Sequence, residues 1–200
     1  MHERQTTSSI CEAYWDSREA SVCECRGATG ADHAEKATTG PYVDPENCGE
    51  IDIRIARDGT WYHEGAPIKR QRMVELFSTV LRKDPDGEFY LVTPVEKMRI
   101  RVDDAPFTAI TLDAAGDGDQ QVLVLSTNVG DQVTVDESHP LRVEIHEKTQ
   151  EPSPYVMIRD GLEARINRST FYHLVERGIE QNGHFGVWSC GSYFVLGELT

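Results

Sequence analysis

The first regular pattern in the chain is an alternation of isoleucine with polar residues at Ile51, Ile53 and Ile55. A period of two predicts a strand with one buried face. The turn residues Arg57-Asp58-Gly59 come next, and they predict a hairpin that returns through Trp61. The chain therefore begins its ordered part with a β-hairpin.

A helical pattern follows the hairpin. After Pro67, apolar residues recur with spacings of three and four, which is the period of an amphipathic α-helix. We expect this face to pack into the core, with Leu76 among its buried members. Pro85 and Gly87 then predict a turn after the helix. The apolar positions of the predicted face are Met73, Leu76, Phe77, Val80 and Leu81.

Short apolar runs separated by turn residues fill the middle of the chain. They predict strands at residues 89–93, 95–102, 107–112, 122–126, 133–135 and 141–145. Because the connections between these runs are short, we expect an antiparallel meander that curls.

One motif occurs twice. Arg57-Asp58-Gly59 recurs as Arg159-Asp160-Gly161, and each copy is followed by an Ile-x-Arg triplet, which ends at Arg70 or at Arg168. A helical pattern and a β-rich run come next in both places. The repetition predicts an α+β fold built from a duplicated β-hairpin–helix–β unit with antiparallel sheets. A cleft between two such units is a natural place for a ligand.

The second copy predicts its own set of elements. A helix is expected near residues 169–181, and it places Leu174 at the position that Leu76 has in the first copy. A last hairpin is expected at residues 185–188 and 193–196. Both leucines should therefore be buried to the same extent.

The first 47 residues differ in composition from the rest, with nine acidic residues, four basic residues and few aliphatic ones. Such a segment buries too little apolar surface to offset its ordering entropy. We therefore divide the chain into a disordered or loosely ordered acidic tail at 1–47, a first copy of the unit at 48–105, and a barrel-like domain with the second copy at 106–200.

Acidity extends over the whole chain, whose net charge is −14. This charge disfavours nucleic acid as a partner, because phosphate binding needs clustered lysine and arginine. We find no apolar run long enough to span a bilayer, and an odd number of cysteines, five, favours reduced thiols. We expect a cytoplasmic protein.

Residues with metal-binding or catalytic chemistry have spacings that do not fit a known site. The acidic run from Asp113 to Asp119 lacks the EF-hand pattern and favours a hairpin loop. Cys23 and Cys25 lack a second zinc-binding pair, and no base is positioned by the sequence near Cys190. We predict no metal, no cofactor and no catalytic residues.

The repeated arginines have two interpretations. In the structural one, each guanidinium fork satisfies loop carbonyls or pairs with a nearby aspartate. In the functional one, Arg70 and Arg168 line a cleft between the copies and hold an anionic group. Trp61, Tyr155 and Trp188 then form its aromatic walls.

Five segments together resemble the uncharacterised bacterial family known as domain of unknown function 1285. They are residues 55–70 (IARDGTWYHEGAPIKR), 90–97 (YLVTPVEK), 127–128 (TN), 139–142 (HPLR) and 154–168 (PYVMIRDGLEARINR). The resemblance runs from about Gly49 to the C-terminus. It implies a duplicated α+β fold, a second half similar to pleckstrin-homology-like barrels, and a binding site at the domain interface. It implies no established reaction and transfers no catalytic residue.

We therefore expect a non-enzymatic binding module, a signalling or regulatory adaptor that binds a small anionic ligand or a protein segment between the two halves. The alternative is an enzyme acting on a small anionic metabolite in the same cleft, with Arg70, Glu96 and His139 in its site. The candidate ligand-binding residues are Trp61, Arg70, Glu96, Asn128, His139, Tyr155, Arg159 and Arg168.

Overall fold

The computed structural model describes residues 48–147 and 150–198. The predicted acidic tail, residues 1–47, lies outside the described residues. Two α-helices lie in the described part of the chain, and most of the remainder is sheet. The α+β class with two halves is thereby confirmed.

The first half is one six-stranded sheet with a helix. Its strand order is β3-β2-β1-β6-β5-β4, and β1 runs parallel to β6 while the other neighbours are antiparallel. The elements are β1 (Cys48–Ile55), β2 (Trp61–His63), β3 (Ala66–Pro67), α1 (Gln71–Thr79), β4 (Leu81–Lys83), β5 (Phe89–Val92) and β6 (Lys97–Val102).

The second half has a six-stranded sheet in the order β10-β11-β12-β7-β8-β9 and a three-stranded sheet in the order β13-β14-β15. Strands β12 and β7 are parallel. The elements are β7 (Phe107–Ala115), β8 (Val122–Thr127), β9 (Gln132–Thr134), β10 (Leu141–Ile145), β11 (Pro152–Arg159), β12 (Leu162–Ile166), α2 (Arg168–Glu176), β13 (Ile179–Gln181), β14 (His184–Ser189) and β15 (Ser192–Glu198).

The predicted continuous meander over residues 89–145 is wrong at two points, since β9 and β10 lie at opposite edges of one sheet and β6 and β7 lie in different sheets. Strand β6 does not pair with β7, the next strand in the chain, because β1 occupies that edge of β6, with Ile55 opposite Val102. Residues 103–106 instead connect the two halves. The chain thus changes sheet where a simple meander would have continued.

The predicted burial of Leu76 is also wrong, because this side chain is 63% exposed and Met73 is exposed too. Helix α1 ends at Thr79, so the apolar residues beyond it do not extend the helical face. The buried positions of α1 are Val74 and Ser78, and the ring of Phe77 stacks on that of Trp61 at 6.2 Å between centroids. The inward face is therefore rotated from the predicted one.

Helix α2 packs differently. Leu174 is fully buried, and the helix contacts β7 and β14. Asn167 caps its first turn by accepting a 2.8 Å hydrogen bond from the Thr170 N–H. The helix ends at Glu176, earlier than the expected Gln181, and a Cβ at Gly178 would lie only 2.2 Å from the Phe185 ring.

Both halves contain a hairpin, a helix and then three short strands, in that order. The pairing of their hairpins differs. In the first half the first hairpin strand, β1, makes the parallel pair, whereas in the second half the second hairpin strand, β12, does so. No helix among the described residues is long and apolar enough to cross a membrane.

Candidate functional site

A cleft of about 240 Å³ lies where the two halves meet, and we call it the inter-half cleft. The first half contributes the β1–β2 turn, the segment after β6 supplies two aspartates, and β10 and β11 with the loop between them complete the wall. The lining residues are Arg57, Asp103, Asp104, Glu144, Ile145, His146, Ser153 and Tyr155.

Asp104 is the centre of the inter-half cleft. Its carboxylate accepts a 2.7 Å hydrogen bond from the Tyr155 hydroxyl and a 3.2 Å hydrogen bond from Arg57 Nε. Arg165 Nε lies 3.6 Å from the same carboxylate. One aspartate therefore ties the connecting segment to both halves.

Burial and the hydrogen bond to Asp104 raise the pKa of Tyr155 to about 12. The Arg142 guanidinium also lies over the Tyr155 ring, 4.3 Å from its centroid. The phenol therefore stays protonated at neutral pH and acts in the cleft as a fixed donor rather than as a base.

The other charged groups of the inter-half cleft are more accessible. The Arg57 side chain is 56% exposed, and its Nη2 donates a 3.4 Å hydrogen bond to Ser153 Oγ. Asp103 pairs with Arg54 at 2.8 Å, and Glu144 pairs with Arg142. Three carboxylates and one arginine line the space, and two of the carboxylates are paired with arginines outside the lining.

A second cleft of about 200 Å³ lies beside the start of α2, and we call it the α2 cleft. Its wall is more apolar and contains two arginines and one carboxylate. Arg168 Nε donates a 3.0 Å hydrogen bond to the Tyr172 hydroxyl. The lining residues are Glu151, Pro152, Pro154, Arg165, Ile166, Arg168, Phe171 and Tyr172.

The candidate residues of the sequence lie in several places. Tyr155 lines the inter-half cleft and Arg168 lines the α2 cleft. Trp61 is buried in the core against Phe77, so its ring is not a wall of either cleft. Arg70 precedes α1 as its N-cap residue, with no side-chain capping bond.

Two further candidates join the halves. Arg159 donates to Asp131 at 2.7 Å and to the Ser78 carbonyl at 2.8 Å. Asn128 accepts from the Thr108 N–H at 3.0 Å and donates to the Gly59 carbonyl at 3.3 Å. These contacts give both residues a structural role.

The remaining candidates lie in loops. Glu96 belongs to the turn between β5 and β6, where its carbonyl accepts from the Thr93 N–H. His139 Nδ1 lies 3.1 Å from Asp136, whose carboxylate also accepts from the His139 N–H. Neither of them, nor Arg70, lines either of the two clefts.

Sequence reasoning missed Asp104 and Arg165. Asp104 follows Asp103 in a connection rich in turn residues, which predicts a loop and nothing more. Arg165 alternates with Ala164 and Ile166 in β12 and stands opposite Tyr155 in the ladder. The alternation with a period of two could have identified Arg165, because it places this residue on the polar face of a strand whose neighbour contains Tyr155.

Among the residues that the structure describes, no three His, Cys, Asp or Glu side chains form a group able to hold a metal ion. The chemistry of the clefts comes from guanidinium, carboxylate, hydroxyl and aromatic groups. These groups form hydrogen bonds and ion pairs.

Comparison with known proteins agrees with the two-part fold. The family model "Domain of unknown function (DUF1285), N-terminal domain" matches residues 42–105, and "Protein of unknown function (DUF1285), C-terminal domain" matches residues 106–196. A search of curated proteins gives no match.

Two solved structures are similar to the chain. A DUF1285 family protein from Silicibacter pomeroyi DSS-3 is 51% identical, with a TM-score of 0.74 over 78% of this chain and 84% of that one. A DUF1285 family protein from Shewanella baltica OS155 is 26% identical, with a TM-score of 0.51 over 64% of this chain and 92% of that one. The chain belongs to the DUF1285 family.

Proposed function

We propose that this protein is a non-enzymatic binding module, a cytoplasmic signalling or regulatory adaptor, whose recognition site is the inter-half cleft. The observation that carries the proposal is the position of Asp104. Its carboxylate is held by Tyr155 and Arg57, so the groups around the cleft are pre-organised by contacts from both halves. Pre-organised polar groups reduce the entropy lost when a ligand binds.

The charge of the cleft favours a protein segment over a small anion as the ligand. Asp103 and Glu144 are partly exposed carboxylates, and Arg57 is the one arginine of the lining. Both carboxylates are paired with arginines outside the lining, Arg54 and Arg142, and a lysine or arginine side chain of a partner would compete with these arginines for them. We therefore propose that the cleft accepts a basic side chain of a partner segment.

An enzymatic role has less support. A general base must be within hydrogen-bond reach of its proton and have a suitable pKa. Tyr155 has a pKa of about 12, and the Asp104 carboxylate is engaged by two hydrogen bonds. Arg70, Glu96 and His139, the residues of the enzymatic alternative, lie outside the inter-half cleft.

We also propose that the two halves arose from one duplicated unit, the second having developed towards a pleckstrin-homology-like barrel. The shared order of hairpin, helix and three strands supports this history. The parallel pair is made by β1, the first hairpin strand, in one half and by β12, the second hairpin strand, in the other. On this proposal that difference arose after the duplication.

The function is tested by titrating the full chain with the peptide acetyl-Gly-Arg-Gly-amide while amide NMR shifts are recorded. The expected shifts are at Arg57, Asp103 and Glu144, and a peptide with norleucine in place of arginine should give none. Glu144→Gln should weaken binding about two- to fivefold, as the loss of one exposed ion pair does. Arg142 retains Glu163 in this variant, so the fold is kept.

The matched control is Glu176→Gln, which removes an exposed carboxylate of α2 away from the cleft lining. It should leave the affinity unchanged. Equal binding of both peptides, or equal weakening by the two variants, would refute the basic-segment site.

A further inference from the structure

We propose that the α2 cleft is a separate site for a small organic anion, with Arg165 and Arg168 binding a carboxylate or phosphate group and aromatic side chains packing on its apolar body. The lining residues of the α2 cleft differ from those of the inter-half cleft, and Arg165 is linked to that cleft through Asp104. The proposal assigns to this protein two recognition sites for groups of opposite charge.

The first observation concerns the surroundings of Arg165. The side chain is only 30% exposed, and its Nε is buried without a hydrogen-bond acceptor. Its one ion-pair contact within the described residues is Asp104, at 3.6 Å. The Arg165 guanidinium makes no hydrogen bond to a described residue, and an anion in the adjoining cleft would accept from its terminal nitrogens.

The second observation concerns the hydrogen bonds of Arg168. Its Nε donates to Tyr172, and its two terminal nitrogens have no acceptor among the residues that the structure describes. No described carboxylate forms an ion pair with it. The α2 cleft is therefore lined by two arginines whose hydrogen-bonding capacity is largely free.

Two other arginines among the described residues have internal acceptors. Arg142 makes a bidentate pair with Glu163, at 2.6 and 2.7 Å. Arg159 donates to Asp131 and to the Ser78 carbonyl. Arg165 has fewer internal acceptors than these two arginines.

The walls of the α2 cleft suit an apolar body. Tyr172 is 53% exposed although its ring is large, and Phe171 is only partly buried. Pro152 and Pro154 complete the apolar part of the lining. A flat ring attached to the anionic group would cover these surfaces and gain from their burial.

Charge and size restrict the ligand further. Two arginines and Glu151 give the lining a formal charge of about +1, so one negative charge is favoured over two. The volume of about 200 Å³ is below the roughly 300–1,000 Å³ of typical ligand pockets. A monoanion with a single ring is therefore the expected class, and an aromatic carboxylate represents it.

The test is isothermal titration calorimetry of the full chain with benzoate, phenyl phosphate and benzylamine, which share a ring and differ in charge. Benzoate should bind, phenyl phosphate should bind less tightly at a pH where it is a dianion, and benzylamine should not bind. Arg168→Gln should weaken benzoate binding about tenfold or more, since a charge-assisted bond is lost.

Arg177→Gln is the matched control, because Arg177 is an exposed arginine that caps the other end of α2. It should leave benzoate binding unchanged, and Arg165→Gln should weaken it as Arg168→Gln does. Should Arg165→Gln unfold the chain, Arg168→Gln decides alone, since its side chain is exposed.

Tighter binding of phenyl phosphate would keep the anion site but assign it to phosphate esters. Absence of binding by both anions, equal binding of benzylamine, or equal affinity of Arg168→Gln and Arg177→Gln for benzoate would overturn the proposal. Glu144→Gln should not weaken benzoate binding, so failure of this site and failure of the inter-half site are distinguishable.

Discussion

The two halves contain the same succession of hairpin, helix and three strands, yet they bury different faces of their helices. Leu174 of α2 has no exposed surface, whereas Leu76 of α1 is mostly exposed. Helix α2 lies against β7 and β14, while α1 presents Val74 and Ser78 inward. Similar local sequence therefore gives similar elements, and the surrounding strands decide which face is buried.

The repeated arginines before Asp-Gly differ in the same way. Arg159 is partly buried and binds Asp131 and the Ser78 carbonyl across the junction between the halves. Arg57 is more exposed and reaches Asp104 and Ser153. One copy of the motif has become part of the scaffold, and the other lines an open cleft.

The largest expected contrast is between Leu174→Ala and Leu76→Ala. The first should cost about 2–5 kcal/mol of unfolding free energy, because it leaves a cavity in the core. The second should change stability by no more than about 0.5 kcal/mol, as exposed substitutions do. Urea denaturation of both variants measures the two values, and equal costs would contradict the difference between the helices.

The next contrast is between Arg159→Ala and Arg57→Ala. Removing Arg159 takes away the ion-pair partner of Asp131 and one donor to the Ser78 carbonyl, which should cost about 1–3 kcal/mol. Removing the exposed Arg57 should cost about 0–1 kcal/mol. Urea denaturation measures both values, and a larger cost for Arg57→Ala than for Arg159→Ala would contradict this prediction.

The contact between the halves predicts a dependence on pH. Tyr155→Phe removes the hydrogen bond to Asp104 and should cost about 1 kcal/mol at neutral pH. The folded state raises the pKa of Tyr155 from 10 to about 12, so this stabilisation is complete below pH 10 and is lost as the pH rises towards 12.

The measurement for Tyr155 is the difference in unfolding free energy between the wild type and Tyr155→Phe at pH 8, 10 and 12. Other tyrosines titrate in both proteins, so their contributions cancel in the difference. A difference that stays constant over this range would show that the Asp104 contact does not stabilise the phenol.

The smallest effects are expected for Arg70→Ala and Arg168→Ala. Both side chains are exposed, and the Arg70 side chain makes no capping bond. Each substitution should change stability by no more than about 0.5 kcal/mol. Thermal melting measures this, and a large drop for both would assign them to the scaffold and remove Arg168 from the α2 cleft site.

Much of the local structure follows from the sequence. The alternation around Ile53 predicts β1, and the short apolar runs predict strands near their observed positions. The parallel pair of β1 and β6 could not be predicted, because side-chain periodicity contains no information about the distant partner of a strand. The prediction of the buried face of α1 was wrong because residues 80 and 81, which were counted as helical, lie beyond the end of the helix.

The site was less predictable than the fold. Tyr155 and Arg168 were candidates, and each lines a cleft, but the sequence placed them in one concavity and the structure places them in two. Asp104 was missed since its three partners come from distant parts of the chain. Similar motifs indicate which residue types a site contains. The net charge of the site can be worked out only when the contacts in the folded chain are known.

The position of the first sheet in the chain has a consequence for the order of assembly during synthesis. All strands of the first sheet lie between residues 48 and 102, so they leave the ribosome before the strands of the second half do. The hydrogen bonds from Asn128 to the Gly59 carbonyl and from Arg159 to the Ser78 carbonyl form later, when the second half has emerged. The second half thus meets a first half whose strands have already been synthesised.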